Sequence, residues 1–358
     1  MHNYSSDSQS NVEGEEFRED VPVSVREQAA VSRAAVRLTA EDLAPLTQIS
    51  NWRSAAAVLR TWSIIGITLA ISLAYWSWPL AILTVFVIAT QQHALFILSH
   101  DAAHYRLFGN RAINDLVGRA CAAAAGLSMC TYRIIHRLHH NHLYGPHDPD
   151  IALHGGYPRG KWYLVRKLLK DLSGATAVKT YAYFFGNPAK NAATKSTLDP
   201  LADTSPRLRK QACSDQIFVI AVQLALPAAI LWLAGWRGLL LYVVLWVLPA
   251  ITVLQAILRL RAVCEHGAVA DFSSALTAAR TQLPGAGAAW LTARAVLFPH
   301  HVNYHIEHHL YPAVPHYYLP RLHALLAQRG LLKGAQVDSV VTTLCKIFAD
   351  PRSLGAQV

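Results

Sequence analysis

The strongest constraint on the fold is residues 61–99, a stretch that contains no Lys, Arg, Asp or Glu. A helix needs about 20 apolar residues to cross a bilayer, so this stretch is long enough for two membrane spans. Proline ends or kinks a helix, and Pro79, which follows Ser77 and Trp78, places the break between the two spans there. Trp76 and Trp78 are expected at the membrane interface, where amphipathic aromatic side chains collect.

A second apolar stretch, residues 216–258, is interrupted at Gly235, Trp236, Arg237 and Gly238. It predicts a second membrane hairpin, and hence four spans in all. Hydrophobic residues make up 53% of the chain and charged residues 15%, a composition that favours an integral membrane protein. Two helical hairpins buried in a soluble core are the alternative, which the length and low charge of both stretches disfavour.

The basic residues predict the orientation of the chain in the membrane. The net charge is +10, but the basic residues are scattered through loops without interleaved aromatics, so no nucleic-acid partner is expected. Those that flank one side of the hairpins are Arg53, Arg60, Arg106, Arg111, Arg207, Arg209, Lys210, Arg259 and Arg261. The opposite turns carry only Arg237, so both termini and the histidine clusters are predicted to face the cytosol.

The remaining segments are expected to lie outside the membrane. Residues 1–50 form an N-terminal segment that begins as a disordered acidic tail, with a short helix predicted over residues 25–37. Residues 51–330 are predicted to be the membrane domain, and residues 331–358 a peripheral tail. The long connection between the hairpins predicts a cytosolic layer with helices near residues 113–125 and 163–172. The five cysteines show no Cys-x-x-Cys spacing, which favours a reduced environment.

Three histidine clusters are the main candidates for function. Residues at i, i+3 and i+4 lie on one face of a helix, so each cluster presents converging imidazoles. The clusters are HDAAH at 100–104, HRLHH at 136–140 and HIEHH at 305–309. Their histidines are His100, His104, His136, His139, His140, His305, His308 and His309. Metal coordination numbers are commonly about four to six, so eight imidazoles predict two metal ions.

The residue types alone leave the metal open, since imidazole suits iron, zinc and copper. The zinc-protease pattern His-Glu-x-x-His is absent from the clusters, because Asp101 follows His100 and Ile306 follows His305. A metal transporter or a haem membrane protein is a distant alternative. Such proteins place their ligands near the middle of the membrane, whereas these clusters fall at helix ends and in the cytosolic layer.

The order of hairpins and clusters resembles the membrane fatty-acid desaturase family, which is related to hydroxylases and ketolases with similar histidine boxes. The resemblance covers roughly residues 60–325: two boxes lie between the hairpins and the third follows the second hairpin. The flanking segments Asp148-Pro149-Asp150, Asn303-Tyr304 and Leu310-Tyr311-Pro312 are also similar. It implies an all-α integral membrane protein in which two transmembrane helical hairpins are capped by a cytosolic helical layer that holds a di-iron site.

By that resemblance, the eight box histidines are iron ligands and a ninth is expected between the fourth span and the third box. His266 is the candidate for this ninth ligand. Some relatives hold a metal-bound water with an asparagine four residues earlier, where this chain has Ala262.

Carboxylates beside the boxes are expected to orient the ligand imidazoles by accepting their second N–H. Asp101 and Glu307, within boxes one and three, are the first candidates. The other candidates for such outer positions are Asp148, Asp150, His301 and Asn303.

The expected reaction is the O2-dependent introduction of a double bond into a lipid acyl chain, with two iron ions as cofactor. Hydroxylation or ketolation of a sphingolipid, carotenoid or alkane is the alternative, because small geometric differences separate these outcomes. No His-Pro-Gly-Gly haem signature, rubredoxin cysteine pattern or Gly-x-Gly-x-x-Gly after a strand occurs in the sequence. A separate electron donor, a ferredoxin or a cytochrome b5-like protein, is therefore expected.

Overall fold

The computed structural model describes residues 37–145, 147–187, 199–269, 271–285 and 287–350. The chain is mostly helical, at 71%, which confirms the all-α prediction at that level. The N-terminal tail and nearly all of the helix predicted over residues 25–37 lie outside the described residues.

The helices up to residue 187 are α1 (Ala40–Thr47), α2 (Asn51–Ala74), α3 (Trp78–Ala103), α4 (Arg111–Ala124), α5 (Met129–His142), α6 (Ile151–His154), α7 (Lys161–Leu172) and α8 (Ala177–Phe184). The two helices predicted between the hairpins correspond to α4 and α7. The gap between α2 and α3 confirms the break predicted around Pro79.

The elements from residue 206 onwards are α9 (Pro206–Tyr242), a π-helical segment (Val243–Val247), α10 (Leu248–Ile251), α11 (Val253–His266), α12 (Ala275–Ala278), β1 (Thr281–Gln282), α13 (Ala288–Val296), a 3-10 turn (Pro299–His301), α14 (His305–Leu310), a 3-10 turn (His316–Tyr318), α15 (Leu319–Gln328), β2 (Val337–Asp338) and α16 (Val340–Phe348). The strands β1 and β2 pair in parallel.

Three helical stretches are long and apolar enough to cross a membrane: α2, α3, and Pro206–His266, which runs from α9 to α11. The most apolar 18 residues of each stretch differ in burial: 61% of them are buried in α3, compared with 22% in α2 and 6% in the third stretch. Trp232 and Leu233 in the third stretch are 84% and 74% exposed. Apolar surface this extensive is typical of contact with lipid, so α3 is the central helix and the others face outwards.

The third stretch turns sharply at Gly235, whose φ of 64° and ψ of −166° are accessible essentially to glycine alone. Gln223, before the turn, donates from Nε2 to the carbonyl oxygen of Ala123 at 2.6 Å. Trp246, after the turn, donates from Nε1 to the carbonyl oxygen of Ala124 at 3.0 Å. Residues on both sides of Gly235 therefore meet the same end of α4, and the chain folds back on itself where the break was predicted.

Side chains from α4 and α5 fix the C-terminal end of α3. A helix leaves its last carbonyl groups without partners within the helix. The amide of Asn114 donates to the carbonyl oxygen of Ala102 at 2.9 Å, and Arg133 donates to the same oxygen at 3.1 Å and to that of Ala103 at 3.0 Å. Since α3 carries the first histidine box and α5 the second, these bonds fix the two boxes relative to each other.

The close contact of α3 with α4 depends on Gly118. A Cβ atom at this position would lie 2.3 Å from Cβ of Ala102 and 2.5 Å from Sδ of Met129. Neither distance is tolerated, so a larger residue would push α4 away from the helix that carries the first box.

Asp215, a buried residue of α9, fixes the start of α5. Its Oδ1 accepts from Nε of Arg119 at 2.6 Å, and its Oδ2 accepts from Oγ of Ser128 at 2.8 Å and the backbone N–H of Cys130 at 2.9 Å. Ser128 is the N-cap residue of α5. One carboxylate therefore joins the second apolar stretch to the helix that carries the second box.

The buried guanidinium of Arg280 ties the end of α11 to the C-terminal elements. It donates to the carbonyl oxygens of Cys264 and Gly267, both at 2.9 Å, and to that of Ala268 at 2.8 Å. Its Nε donates to Asp338 in β2 at 3.1 Å. Asp338, which lies beyond the predicted domain boundary at residue 330, is thus linked through Arg280 to the helix that carries His266. The domain boundary itself stays a prediction.

Replacing Asp215 by Ala should destabilise the fold, because it leaves Arg119 and the buried N–H of Cys130 without their acceptor. Breaking a buried ion pair of this kind costs about 3–5 kcal/mol. We expect a clear fall in the unfolding temperature in detergent micelles. The control is Arg329→Ala, which removes an exposed ion pair with Asp42 and costs about 1 kcal/mol or less. Equal unfolding temperatures for D215A and R329A would contradict this role of Asp215.

Candidate metal centre

The nine histidines predicted as ligands lie together in two groups, and within each group one nitrogen from every ring lies within 4.8 Å of the others. Group one consists of His100, His104, His136, His140 and His308. Group two consists of His139, His266, His305 and His309. His139 belongs to group two and the next residue, His140, belongs to group one. The two groups are therefore neighbours.

The rings of group one converge through their Nε2 atoms. The Nε2 atoms of His100 and His136 are 2.9 Å apart, and that of His140 is 3.0 Å from those of both His136 and His308. Nε2 of His104 is buried and has no hydrogen-bond partner among the described residues. A buried imidazole nitrogen without a partner is costly unless something else binds it.

Group two has the same geometry. Nε2 of His266 lies 3.2 Å from that of His139 and 2.7 Å from that of His305, which is 3.1 Å from that of His309. Metal–imidazole bonds are about 2.1 Å long, so neighbouring nitrogens at these separations would subtend about 80–100° at a shared metal ion. Such angles are usual between adjacent ligands of an octahedral or related shell. The residues present therefore fit one transition-metal ion in each group.

Contacts on the far side of the rings set their orientation in group two. Nδ1 of His266 lies 3.0 Å from the carbonyl oxygen of Ala278. A carbonyl oxygen only accepts, so this nitrogen carries the proton and Nε2 presents its lone pair to the group. Nδ1 of His139 lies 2.9 Å from Oδ1 of Asp148, as predicted for a carboxylate that orients an imidazole.

The carboxylates give His139 a charge unlike that of its neighbours. Burial alone lowers the pKa of His139, but the negative charges of Asp148 and Asp150 outweigh it and raise the pKa to about 9. Asp150 approaches Nδ1 of His139 to 3.6 Å and accepts a hydrogen bond from the hydroxyl of Tyr183 at 2.5 Å. Without a metal, His139 is therefore protonated at neutral pH, and a metal ion must displace that proton.

Five other rings stay neutral because their pKa lies well below its ordinary value. Burial is the main cause, and repulsion from the charge that a neighbouring imidazole would carry is the second. The five are His104, His136, His140, His305 and His308. A neutral imidazole has a free lone pair, which is the form that binds metal ions.

Comparison with known proteins agrees with this geometry. Residues 75–338, about three quarters of the chain, match the family model described as "Fatty acid desaturase". The chain belongs to the fatty acid desaturase family. The resemblance seen in the three boxes is thereby confirmed.

Curated relatives of this chain are similar at modest identity. The chain is 27% identical over 270 residues to dihydrorhizobitoxine desaturase of Bradyrhizobium elkanii, which covers 73% of this chain and 70% of that protein. It is 26% identical over 298 residues to a chloroplastic omega-3 fatty acid desaturase of Glycine max and 25% identical over 290 residues to that of Ricinus communis. These alignments cover 75% of this chain but 59% and 58% of the plant proteins.

The hydrogen bonds of Asp101 go to His316. Its Oδ2 accepts from the backbone N–H of His316 at 3.0 Å and lies 2.7 Å from Nδ1 of the same residue. Nδ1 of His100 is 3.7 Å from Oδ1, beyond hydrogen-bond distance. The chain after box three brings His316 over the end of α3 as the hydrogen-bonded partner of Asp101. The role of Asp101 in orienting His100 stays a prediction.

Glu307 also has partners other than the predicted ones. Its oxygens accept from Oγ1 of Thr281 at 2.6 Å and face Nδ1 of His323 at 2.5 Å. The helix geometry explains this correction: Glu307 follows His305 by two residues and points away from the face that carries the three box histidines.

His301 and Asn303 lie beside the site. The ring of His301 packs near Tyr304, and the amide of Asn303 donates to the carbonyl oxygen of Gln282 at 2.8 Å. Neither belongs to the groups of converging ligand atoms found in the described residues. The outer role proposed for them therefore stays a prediction.

Sequence reasoning missed two features of the site. His154 is buried next to Asp148, with Nε2 3.7 Å from Oδ2, and together with His139 the two form a third set of possible ligand atoms. Nothing in the spacing of His154 indicated this. Arg261 and Glu265 form a buried i,i+4 pair on α11, at 2.7 Å. Here a signal existed, since charged residues in an apolar stretch usually mark function.

The raised pKa of His139 makes the stability of the chelator-treated protein depend on pH. A histidine in the unfolded chain has a pKa of about 6.5, whereas His139 in the folded protein has a pKa of about 9. The stabilisation by its pair with Asp148 is therefore complete below about pH 6.5 and is lost as the pH rises through about 9.

We expect the free energy of unfolding of the metal-free protein to fall across this window by on the order of 3 kcal/mol, and the unfolding temperature to fall with it. Asp148→Asn should largely remove the dependence, because the main charge that raises the pKa is gone. Thermal unfolding at a series of pH values measures both. A wild-type profile that stays flat over the window, or one that D148N reproduces, would show that the pair does not hold the proton.

Proposed function

We propose that this protein catalyses the O2-dependent introduction of a double bond into a lipid acyl chain, with two iron ions as cofactor. The observation that carries the proposal is the pair of buried imidazole groups, with five ring nitrogens around one position and four around its neighbour. Membership of the desaturase family supports iron over the other metals that imidazole suits.

Two iron ions bound in these groups would supply the activation of O2. The chain itself holds five of the rings neutral, orients His139 through its contact with Asp148, and keeps water away. The exposed fractions of His136, His139, His266 and His305 are 4%, 2%, 3% and 2%. Burial of this degree protects a reactive centre from side reactions with solvent.

A lipid substrate fits the position of the site. His100 belongs to α3, one of the helices able to cross a membrane, and lies near its C-terminal end. Group one is therefore at one end of the apolar helices, and we propose that the acyl chain approaches it from the bilayer. An alkyl chain has no polar group at the reacting carbons, so the apolar surroundings must position it.

The type of reaction is inferred from the relatives. All three are named as desaturases, two of them as omega-3 fatty acid desaturases, which favours double-bond formation over hydroxylation or ketolation. A separate ferredoxin or cytochrome b5-like protein is the proposed electron donor.

We further propose four membrane spans, with the termini and the metal centre on the cytosolic side. The turn at Gly235 supports a division of the third apolar stretch into two spans. Arg237 lies beside this turn, away from the basic residues at the other ends of the spans. Basic residues near span ends are retained on the cytosolic side.

Expression in a host that lacks the activity, together with an electron donor and its reductase, tests the reaction. Gas chromatography with mass spectrometry of the lipid methyl esters should reveal a new species lighter by two hydrogens. His308→Ala should lower its yield at least about 100-fold, whereas His142→Ala, a histidine outside both groups, should leave it unchanged. Oxygenated products would favour the hydroxylase or ketolase alternative. Unchanged lipids with an active reductase would contradict both.

Labelling with a membrane-impermeant maleimide tests the topology. Cys345 is exposed, whereas burial raises the pKa of Cys121 and Cys130 to about 12 and makes them unreactive. We expect Cys345 to react in inside-out vesicles only. Arg237→Cys, in a chain with Cys213 and Cys345 changed to Ser, should react in right-side-out vesicles only. Reaction of both positions from one side would contradict the proposed arrangement.

A further inference from the structure

The two histidine groups differ in the number of donors that they contain. Group one has five imidazole nitrogens, whereas group two has four. The two groups are adjacent, and group two has room for one more donor than it contains if its ion has as many ligands as that of group one. A side chain next to one of the four ligands could supply a fifth donor.

Glu265 lies beside group two, although its oxygens are not among the four converging atoms of that group. It precedes His266 in the last turn of α11, and its side chain is buried, with 4% exposed. Its Oε2 lies 3.7 Å from Nε2 of His305, a member of group two. A buried carboxylate is costly unless a cation or several donors bind it.

The separation between Glu265 and His305 suits two ligands of one ion. Metal bonds to carboxylate oxygen and to imidazole nitrogen are both about 2.1 Å long, so atoms 3.7 Å apart would subtend about 120° at a shared ion. Ligands of one ion with bonds of this length lie at most about 4.2 Å apart. Binding of an ion would therefore have to draw Oε2 of Glu265 closer to the other nitrogens of group two.

Arg261 fixes the direction of this carboxylate. Its Nε donates to Oε1 of Glu265 at 2.7 Å from one turn earlier on α11. The guanidinium, whose side chain is 8% exposed, therefore binds one oxygen of the carboxylate, and the other is turned towards His305. A carboxylate held in this way can bind a metal ion through one oxygen only.

We propose that Glu265 is the fifth ligand of group two and that Arg261 is its positioning residue. The inference depends on the proposed function, because it requires a metal ion in each group. It makes the two metal positions unequal: group one has nitrogen ligands alone, whereas group two has four nitrogens and one anionic oxygen. An anionic ligand stabilises the more oxidised state of a metal, so the two ions should differ in their electronic properties.

Iron content separates a ligand from a residue that acts only through hydrogen bonds. Glu265→Gln keeps the shape and one carbonyl acceptor but loses the anionic donor, whereas Glu265→His supplies a new metal-binding nitrogen of similar reach. The full chain is loaded with 57Fe in detergent micelles, and iron per chain is measured by mass spectrometry of the metal. We expect about two irons in the wild type, about one in E265Q and about two in E265H.

Asp171→Asn is the matched control. Asp171 is buried and accepts from Arg259, also on α11, with Nη2 of Arg259 2.9 Å from Oδ1, and it lies outside both groups. D171N should lose thermal stability but keep both irons. If it loses as much iron as E265Q, the effect belongs to the loss of a buried ion pair and the ligand role is overturned.

Mössbauer spectra of the same samples test the inequality of the two sites. The wild type should show two quadrupole doublets. Arg261→Gln should keep both irons and shift one doublet, because the carboxylate is no longer held; an unshifted spectrum would overturn the positioning role.

Two further results would overturn the ligand role of Glu265: E265Q with two irons and unchanged doublets, or E265H with no more iron than E265Q. A wild-type chain that binds no iron would instead contradict the proposed function.

Discussion

The structure depends on one unusual crowding of nine imidazoles, eight of whose Nε2 atoms approach one another to between 2.7 and 3.2 Å. A neutral imidazole has one donor and one acceptor, so rings in such numbers cannot satisfy each other by hydrogen bonds. His266 illustrates this, because its proton is directed at the carbonyl oxygen of Ala278 and its lone pair at the group. Positive charge among the nitrogens relieves the conflict. In the metal-free protein the proton on His139 supplies part of it, and bound metal ions would supply all of it.

The rest of the fold holds this arrangement together from residues that are far apart in sequence. Arg133 of α5 bonds the last carbonyl oxygens of α3, and Asp215 bonds the start of α5. Arg280 does the same for the end of α11, and His316 bonds Asp101 at the end of α3. Each contact acts at the terminus of a helix, where backbone groups lack partners within the helix and are free to bind side chains. The boxes are therefore set in place by polar contacts at helix ends, above apolar helices that face lipid.

Much of this could be predicted from the sequence because it rests on periodicity and composition. The uncharged stretch at 61–99 indicates membrane helices, and the spacing of HRLHH places three imidazoles on one face of α5. The prediction of two metal positions follows from counting histidines. The allocation of rings to groups could not be predicted, since neighbours such as His139 and His140 go to different groups.

The misses have a common physical cause. Asp101 and Glu307 are predicted to orient ligand imidazoles, whereas their hydrogen-bonded partners, His316 and His323, come from segments packed against them in three dimensions. Spacing along a helix reports which residues share a face, but it does not report what packs on that face. The same holds for Glu265, because its nearness to His305 comes from packing in three dimensions and not from spacing along α11.

The most direct test of the account is the position of the metal. Crystals of the iron-loaded protein, measured on both sides of the iron absorption edge, give an anomalous difference map that locates each iron ion. The account predicts two peaks, one among the rings of His100, His104, His136, His140 and His308 and one among those of His139, His266, His305 and His309. A single peak, or a peak between Asp148 and His154 with either group empty, would contradict it.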